Sequence, residues 1–317
     1  MQKLLVTAAP HLHDQTTTQK LMGRVCLACA PAALAACLIF GWRCLFLIAV
    51  SAAACVGFEA GWNLLMKKPQ SLGDLSAVVT GILLAFNVPA SFPVWMLLIG
   101  DFVAIVVVKQ LFGGLGRNFA NPAIVGRIVL ALSFSGPMTD YCLPATDIDA
   151  LASATPLAAA DQLTRTPTVR LLLGAHGGML GETCALALLL GGLYLIVTGT
   201  ISAIIPFSAL GTVAVMCLVC GRPQQIVLQL LSGGLLLGVF FMATDYVTSP
   251  YTRLGRLIYG IGIGALTCLM RFYANAAEGM SYAILLMNIV TPYINRGIRQ
   301  RPLGVRAGLR RKEKKPQ

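Results

Sequence analysis

A turn that contains Thr155 carries the residues best suited to covalent chemistry. It reads Asp149-Ala150-Leu151-Ala152-Ser153-Ala154-Thr155-Pro156-Leu157. Small neighbours leave the Thr155 hydroxyl accessible, and Pro156 stops a helix from continuing through the turn. The turn belongs to a polar stretch over 136–179, and long loops without secondary structure of their own are often functional. Thr155 is therefore a candidate attachment site, and an ordinary loop residue is the alternative.

Two further turns have residues that could bind the polar edge of a ring or an ion. One runs Gly113-Gly114-Leu115-Gly116-Arg117-Asn118-Phe119-Ala120-Asn121-Pro122, and its glycines permit left-handed backbone conformations. A tight turn between helices is its alternative; a phosphate loop is disfavoured because no Lys-Ser/Thr pair follows the glycines. The other runs from Ala243 to Pro250, where Asp245 and Thr248 could bind a ligand or cap the next turn.

Ionisable residues also fall inside apolar stretches. Asp101 and Arg127 lie at or near membrane depth, where charged side chains are expensive and are functional candidates by default. The two could pair with each other, and Asp101 is the candidate for an ion pathway. Glu59, Glu182 and Arg271 fall near the ends of apolar segments. For these three, reaching out to the membrane surface is the simpler interpretation.

The elements that must position these residues are apolar. Hydrophobic residues make up 57% of the 317, charged residues 11%, and the mean hydropathy is +0.78. A soluble protein has roughly 25% charged residues, so the composition excludes a soluble globular protein and predicts an integral membrane protein. The net charge of +12 comes mainly from loops and the C-terminal tail. It therefore indicates orientation in a membrane, and we predict no nucleic-acid partner.

The ten cysteines fall mostly in apolar segments. Cys26-x-x-Cys29 and Cys217-x-x-Cys220 have the spacing of metal-binding pairs, but their loops contribute no histidine. We expect these side chains to act as small buried hydrophobic groups, with a metal or redox role as the alternative. The sequence predicts no metal site.

Hydropathy predicts an all-α polytopic membrane protein with about ten transmembrane helices, because a crossing needs about 20 apolar residues. The predicted segments are 24–40, 43–60, 74–88, 94–112, 121–135, 180–197, 202–220, 226–243, 254–272 and 278–294. Segments 74–88 and 121–135 are short. Short or interrupted spans often mark half helices beside a binding site.

Lysine and arginine predict the orientation, because cytoplasmic loops are enriched in them. With the N-terminus inside, 18 of the 24 lie on the cytoplasmic side and 5 outside, while Arg127 falls within a span. We therefore predict that both termini are cytoplasmic. The predicted organisation is a tail over 1–23, a membrane half over 24–135, an extracytoplasmic loop over 136–179, a second membrane half over 180–294 and a basic tail over 295–317.

A faint internal repeat supports two halves. Thr80-Gly81-Ile82-Leu83-Leu84 resembles Ser232-Gly233-Gly234-Leu235-Leu236 at an offset of 152 residues. Five spans in each half is an odd number, so the two repeats would be inverted relative to each other. Inverted repeats usually build a site at their interface.

Taken together, these residues resemble the RnfD/NqrB family of membrane flavoproteins, and the resemblance covers nearly the whole chain. It rests on Gly113 to Pro122, on Asp149 to Leu157, on Met242-Ala243-Thr244-Asp245 with Thr248-Ser249-Pro250, and on Asn288 with Thr291-Pro292 in the last span. The length and the number of spans agree with the family.

The resemblance implies that FMN is joined through its phosphate to Thr155, which makes the chain a flavoprotein and a phosphoprotein. The family consensus is like Asp-x-x-Ser-Gly-Ala-Thr, which Asp149, Ala154 and Thr155 match. Ala152 and Ser153 depart from the Ser-Gly pair, so the hydroxyl lies one position later. A second, non-covalent flavin, riboflavin, is also implied. The candidates for its site are Asn118, Asn121, Asp245 and Thr248.

The implied function is electron transfer within an ion-translocating complex of a prokaryotic inner membrane. Such a complex moves electrons between ferredoxin and NAD and couples this to Na⁺ or H⁺ transport. The expected partners are the other membrane and peripheral subunits of the Rnf complex, a flavin transferase and the lipid bilayer. The chain has no dinucleotide fingerprint and no iron–sulfur cysteine set. Sites for NAD and ferredoxin are therefore expected in partner subunits.

Two other classes of function stay open on the residues alone. A solute channel or transporter built from inverted halves would use the same glycine, asparagine and proline breaks to line a path, without a redox cofactor. A purely structural membrane subunit would bind no chromophore. The threonine motif favours the flavoprotein over both.

Overall fold

A computed structural model describes residues 16–141, 168–174, 176–274 and 279–298. The described residues form helices and connecting turns, with no strand among them. The helices are α1 Thr18–Phe40, α2 Trp42–Leu65, α3 Ser76–Phe86, α4 Val94–Phe102, α5 Pro122–Ser133, α6 Ser135–Thr139, α7 Thr168–Leu173, α8 Ala185–Val197, α9 Ile204–Val219, α10 Ile226–Leu231, α11 Leu235–Leu237, α12 Arg253–Tyr273 and α13 Gly279–Gly297. Two of them continue as π-helical segments, α4 into Val103–Gln110 and α11 into Gly238–Met242.

The helices are those of a polytopic membrane protein. By length and composition, α1, α2 and α12 can each cross a bilayer alone. Pro223–Leu231 and Leu235–Met242 together could form a fourth crossing, bent by 62°. Large apolar side chains on the outer faces are exposed, including Leu38 at 85% and Trp42 at 80%. Helices occupy all ten predicted segments, and the number of crossings stays a prediction.

The structure differs from the predicted boundaries in two places. Helix α1 begins at Thr18 and not at residue 24, because the Thr17 hydroxyl accepts a hydrogen bond from the Lys20 amide (3.3 Å) and caps it. The predicted segment 226–243 is two helices. They separate where Ser232 is extended and Gly233 and Gly234 are left-handed, both with φ of 66°.

Helices α3 and α5 are short, as the sequence predicted. Asn121 caps α5, because its Oδ1 accepts from the Ala123 amide (3.0 Å) and Pro122 occupies the first helical position. Leu75 precedes α3 in a left-handed conformation, with φ of 61°. Both helices therefore have sharply defined N-terminal ends, which face the same cavity.

Close helix contacts fix the arrangement of the first half. Helix α3 lies directly against the backbone of α2. A Cβ on Gly81 would lie 2.7 Å from both the Ser51 carbonyl oxygen and the Ala52 Cα. Only glycine allows this approach, as is common between membrane helices. Helix α1 packs against α8, and α5 packs against α13, so the two halves of the chain are in contact at both pairs.

The two ends of the helix bundle can be told apart. At one end, the Arg43 guanidinium donates to the Ser91 carbonyl (3.2 Å), and the Ser91 hydroxyl donates to the Asp140 carbonyl (2.9 Å). We call this the Arg43 end. The opposite end, where α2 finishes beside the exposed residues Lys67 and Lys68, we call the Lys67 end.

Candidate functional site

The candidate site is a cavity at the Lys67 end. Its walls come from the starts of α3 and α5, the end of the π-helical segment of α4, the turn after that segment, α1 and the residues that follow α11. Space between the lining side chains amounts to about 690 Å³, part of which is open to the outside.

Three of the four predicted flavin-site residues line this cavity. They are Asn118, Asn121 and Asp245, which come from two turns far apart in sequence. The fourth, Thr248, is buried behind the wall and donates its hydroxyl hydrogen to Asp245 Oδ2 (3.2 Å). The structure therefore brings the two predicted turns together.

Asn121 supports the wall of the cavity. Its Oδ1 caps α5, and its Nδ2 donates to the Met242 carbonyl (3.1 Å) at the end of the π-helical segment. The side chain therefore ties the start of α5 to the polypeptide that leads into Asp245. Both of its polar atoms already have protein partners, so its role is to position the two walls.

Asn118 differs, because its Oδ1 is buried without a hydrogen-bond partner among the described residues. Left-handed glycines hold the turn before it, with φ of 111° at Gly113, 92° at Gly114 and 89° at Gly116. A buried amide oxygen without a partner is unfavourable. Asn118 therefore offers an acceptor to a donor group placed in the cavity.

A buried ion pair forms the wall beside α3. The Lys109 ammonium, 1% exposed, donates to Glu59 Oε2 (2.8 Å) and to the Ser76 hydroxyl (2.6 Å). Lys109 and Ser76 line the cavity, and Glu59, 1% exposed, lies behind Lys109. The prediction that Glu59 reaches out to the surface is wrong, since Lys109 and Gln110 partner it in the interior.

The facing wall is acidic and aromatic. Loss of hydration raises the pKa of the Asp245 carboxyl, and hydrogen bonds from the Val247 amide and Thr248 hydroxyl offset part of this rise. The Tyr246 hydroxyl donates to the Thr200 carbonyl and holds the turn in place. Phe240 and Phe241 add apolar rings to the lining. One cavity thus combines a cation, an acid, an unpartnered amide oxygen and aromatic faces.

Asp101 lies apart from the cavity, midway along the continuous helix formed by α4 and its π-helical segment. It is fully buried, and its Oδ1 contacts the Ser51 hydroxyl (2.6 Å) and the Cys55 thiol (3.3 Å). The predicted pairing of Asp101 with Arg127 is wrong. Arg127 donates to Glu182 Oε1 (3.1 Å) and to the Ser281 hydroxyl (2.7 Å).

Glu182 and Arg271 are also buried, at 4% and 8% exposure, so the prediction that they reach the surface is wrong for both. Arg271 donates to the carbonyls of Gln229 (2.7 Å), Ser232 (2.9 Å) and Gly233 (2.9 Å). It satisfies the carbonyls at the C-terminal end of α10, which no helical hydrogen bond reaches. Hydropathy placed these residues near segment ends, and only the tertiary structure supplies their partners.

The predicted attachment site lies outside the described residues. This holds for Asp149, Ser153, Ala154 and Thr155. The chain leaves the described part after Tyr141 and returns at Thr168. Asp140, next to Tyr141, is bonded to Ser91 at the Arg43 end. On the N-terminal side of Thr155, the described chain therefore stops at the end opposite to the cavity.

Nine of the ten cysteines lie in the part of the chain that the structure describes. Cys29, Cys44, Cys55, Cys217 and Cys268 are buried. Within the described ranges, no group of three or more His, Cys, Asp or Glu side chains is placed to hold a metal ion.

The lining fits a flat ring with polar edges, such as a flavin. The Asn118 oxygen can accept from a ring N–H, Lys109 can donate to a ring carbonyl or electron-rich nitrogen, and the phenylalanines can cover a ring face. A flavin bound there supplies one- and two-electron redox chemistry. The protein residues orient the ring and set the local charge.

Known proteins resemble this chain over nearly its whole length. The profile of the NQR2, RnfD, RnfE family matches residues 5–304. The D subunit of the Na(+)-translocating ferredoxin:NAD(+) oxidoreductase complex of Acetobacterium woodii is 45% identical, over 95% of this chain and 96% of its own length. The D subunit of the proton-translocating ferredoxin:NAD(+) oxidoreductase complex of Clostridium ljungdahlii is 38% identical, over 92% of this chain and 93% of its own length.

A third relative is the D subunit of the ion-translocating oxidoreductase complex of Erwinia tasmaniensis, 33% identical over 96% of this chain and 99% of its own length. The family profile and the relatives agree on the same type of subunit. The chain belongs to the NQR2, RnfD, RnfE family, as one of its RnfD-type subunits.

Proposed function

We propose that this chain is the flavin-carrying membrane subunit of a complex that transfers electrons between ferredoxin and NAD and couples this to Na⁺ or H⁺ translocation. The observation that carries the proposal is the family match over residues 5–304, together with a 45% identical D subunit of such a complex. The relatives name different ions, Na⁺ in one and protons in another. Their names therefore leave the ion of this chain open.

The covalent cofactor in this proposal is FMN, joined by a phosphoester to the Thr155 hydroxyl. Asp149, Ser153 and Ala154 would form the sequence that a flavin transferase recognises. A phosphoester prevents the cofactor from dissociating and leaves its ring chemistry intact. Attachment of this segment at the Arg43 end supports the proposal, because a transferase on the outer face could reach it.

A second flavin, riboflavin, would occupy the cavity at the Lys67 end without a covalent bond. Asn118 and Lys109 would hold the ring edges, and Asp245, supported by Thr248, would face them. Asn121 would keep the two walls together. The two flavins would then lie at opposite ends of the bundle, which suits a chain that carries electrons through a membrane.

The same proposal includes the topology. Ten crossings in two inverted halves of five would put both termini in the cytoplasm, the cavity on the cytoplasmic side and the Thr155 segment outside. Contacts of α1 with α8 and of α5 with α13 support it, because each pair joins corresponding helices of the two halves. Asp101 is the candidate for the ion pathway.

The test is flavin fluorescence of the denatured protein in a gel. The chain is expressed with a flavin transferase, beside the variants Thr155→Val, Ser153→Ala and Thr166→Val. We expect a fluorescent wild-type band that disappears in Thr155→Val, because valine has nearly the shape of threonine without its hydroxyl. Thr166→Val is the matched control and should keep the fluorescence, because it makes the same change in a threonine of the same loop that lies outside the motif.

Two results would contradict covalent attachment at Thr155. One is a dark wild-type band while the same transferase labels a control protein; that result would favour a channel, a transporter or a structural subunit. The other is fluorescence that survives Thr155→Val and is lost in Ser153→Ala, which would move the attachment to the neighbouring hydroxyl.

A further inference from the structure

A line of buried polar side chains runs along one face of α2. Ser51, Cys55, Glu59 and Asn63 follow each other at intervals of four residues, and their exposure is 0%, 0%, 1% and 2%. Residues four apart lie on the same face of a helix, so the four form one stripe. The stripe is about 18 Å long at 1.5 Å per residue, roughly half of a membrane with its interfaces.

Helix α4 and its π-helical segment face this stripe with polar residues of their own. Asp101 contacts Ser51 and Cys55, while Lys109 and Gln110 donate to the two oxygens of Glu59 at 2.8 Å and 3.0 Å. We call the stripe together with Asp101, Lys109 and Gln110 the polar seam. Its far end reaches the Lys67 end, where the Ser71 hydroxyl donates to Glu59 (2.8 Å) and Asn63 donates to Ser71 (3.2 Å).

The polar seam is interrupted once. Between Asp101 and Lys109, the buried apolar side chains of Ile105 and Ala77 pack around Cys55. This constriction is about one helical turn long and separates the Glu59–Lys109 pair from Asp101. The polar seam is thus polar at the surface, is closed by an apolar constriction and ends at an acid. These are the parts of a gated path that crosses half of the membrane.

The contacts of Ser51 leave room for a proton on Asp101. The Ser51 hydroxyl lies within hydrogen-bond distance of two acceptors, the Gly81 carbonyl oxygen (2.9 Å) and Asp101 Oδ1 (2.6 Å). A hydroxyl has one hydrogen, so it can donate to only one of them. When Ser51 donates to Gly81, the contact with Asp101 is a hydrogen bond only if the Asp101 carboxyl supplies a proton.

The remaining oxygen of Asp101 agrees with a neutral acid. Oδ2 is buried and has no hydrogen-bond partner among the described residues. A charged carboxylate with one buried, unpartnered oxygen is strongly unfavourable, and the protonated acid avoids that charge. No basic side chain pairs with Asp101 in the described part of the chain, because Arg127 is directed to Glu182 and Lys109 to Glu59.

We propose that Asp101 is a proton-binding site in the membrane interior, loaded and unloaded through the polar seam from the Lys67 end. The proton leaves the Asp101 carboxyl, crosses the constriction when water enters it, and passes to the Glu59 carboxylate and the water beyond; loading is the reverse. This proposal rests on the proposed ion translocation and names the proton as an ion this subunit handles.

A proton fits the site better than a metal cation. Sodium and similar hard cations need several oxygen ligands. Asp101 instead contacts the Ser51 hydroxyl and the Cys55 thiol, and the Gly81 carbonyl lies behind Ser51. Thiols are poor ligands for such ions. The titratable and charged groups around Asp101 are Cys55 and Glu59 on α2 and Lys109 on its own helix. Helix α3 presents the Gly81 carbonyl, and Arg127 of α5 is already paired.

The test labels the whole complex with dicyclohexylcarbodiimide, which adds to protonated carboxyl groups in apolar surroundings and forms a stable acylurea. Mass spectrometry then measures the modified fraction of the peptide that contains residue 101. We expect labelling at low pH that falls as the pH rises, because each pH unit above the midpoint lowers the protonated fraction roughly tenfold. Asp101→Asn should abolish it. Asp140→Asn, which changes an exposed acid, should leave it unchanged.

Two outcomes would overturn the proposal. Absence of labelling, or labelling that does not respond to pH, would mean that Asp101 exchanges no proton. Protection by NaCl at constant pH, when KCl at the same concentration does not protect, would mean that the site binds Na⁺. The Thr155 fluorescence of each variant is recorded in parallel, so that loss of the flavin, which would contradict the proposed function, is distinguished from loss of the proton site.

Discussion

Glu59 and Lys109 form a buried ion pair across two helices. Glu59 and Lys109 are each about 1% exposed and 2.8 Å apart, and the pair joins α2 to the π-helical segment of α4. Taking two charges out of water is costly, and their attraction offsets this only with good geometry and further hydrogen bonds. Here Ser71, Ser76 and Gln110 provide those hydrogen bonds. The pair therefore fixes how α2, α3 and α4 meet beside the cavity.

We predict that breaking this pair on one side is more harmful than removing it whole. Glu59→Leu leaves the Lys109 charge buried without its carboxylate, and removing one partner of a buried pair costs about 3–5 kcal/mol. The double variant Glu59→Leu with Lys109→Met should recover most of that loss. The measurement is the free energy of unfolding in a detergent titration for both single variants and the double variant. Additive losses in the double variant would contradict a direct interaction of the two charges.

Some residues of the cavity can be predicted from residue types along the chain, and others cannot. Asn118, Asn121 and Asp245 stand in glycine- and proline-bounded turns, and such turns are recognisable from residue types alone. Lys109 and Glu59 stand inside apolar segments, 50 residues apart. Their pairing depends on how two helices pack, which spacing along one segment does not encode. The four-residue interval of Ser51, Cys55, Glu59 and Asn63 was the one available signal for a buried face.

Helix ends build the cavity and the break in the second half. The shortness of α3 and α5 follows from local residues, such as the Asn121-Pro122 cap, and was predicted from the sequence. The break between α10 and α11 was not predicted, because it is stabilised from a distance. Arg271 of α12 donates to carbonyls of residues 38 to 42 positions earlier in the chain. Its guanidinium takes the place of the helical donors that the bend removes.

We predict that Arg271→Met loosens this break without unfolding the bundle. Hydrogen bonds to a charged group contribute about 1.5–3 kcal/mol each, and about 1.4 kcal/mol corresponds to a tenfold change in an opening equilibrium. Amide hydrogen exchange in the peptides over 226–237 should therefore rise at least about tenfold. Arg222→Met is the matched control, because the Arg222 guanidinium stacks on the Phe272 ring, with 4.9 Å from its carbon to the ring centre. Equal exchange rates in both variants would contradict the capping role.

For the whole molecule, the described helices separate the cavity from the point where the described chain stops before Thr155. The cavity opens at the Lys67 end, and the chain stops after Tyr141 at the Arg43 end. The sequence predicted this separation from the count of spans and from the distribution of Lys and Arg, because an odd number of crossings lies between the two sites. It could not predict the cavity itself. The starts of α3 and α5 must meet the end of the π-helical segment Gly238–Met242, a contact between distant parts of the chain.

This separation predicts that the two flavins can be removed independently. Asn118→Leu removes the unpartnered amide oxygen from the cavity without breaking a hydrogen bond of that oxygen, so the fold should be kept. Loss of one hydrogen bond to the ligand, about 1.5 kcal/mol, should weaken binding of the non-covalent flavin roughly tenfold. Flavin released by denaturation of the purified complex measures this site, and fluorescence of the denatured band measures Thr155.

We expect Asn118→Leu to lose released flavin and keep the fluorescent band, and Thr155→Val to do the reverse. We expect the reciprocal pattern because the two proposed sites share no residue. Loss of both signals in either variant would mean that one flavin is needed to assemble the other site, or that the variant does not fold. Purification of each variant with the complete set of partner subunits separates those two causes, because a misfolded chain would fail to assemble. Released flavin unchanged by Asn118→Leu would move the second site away from this cavity.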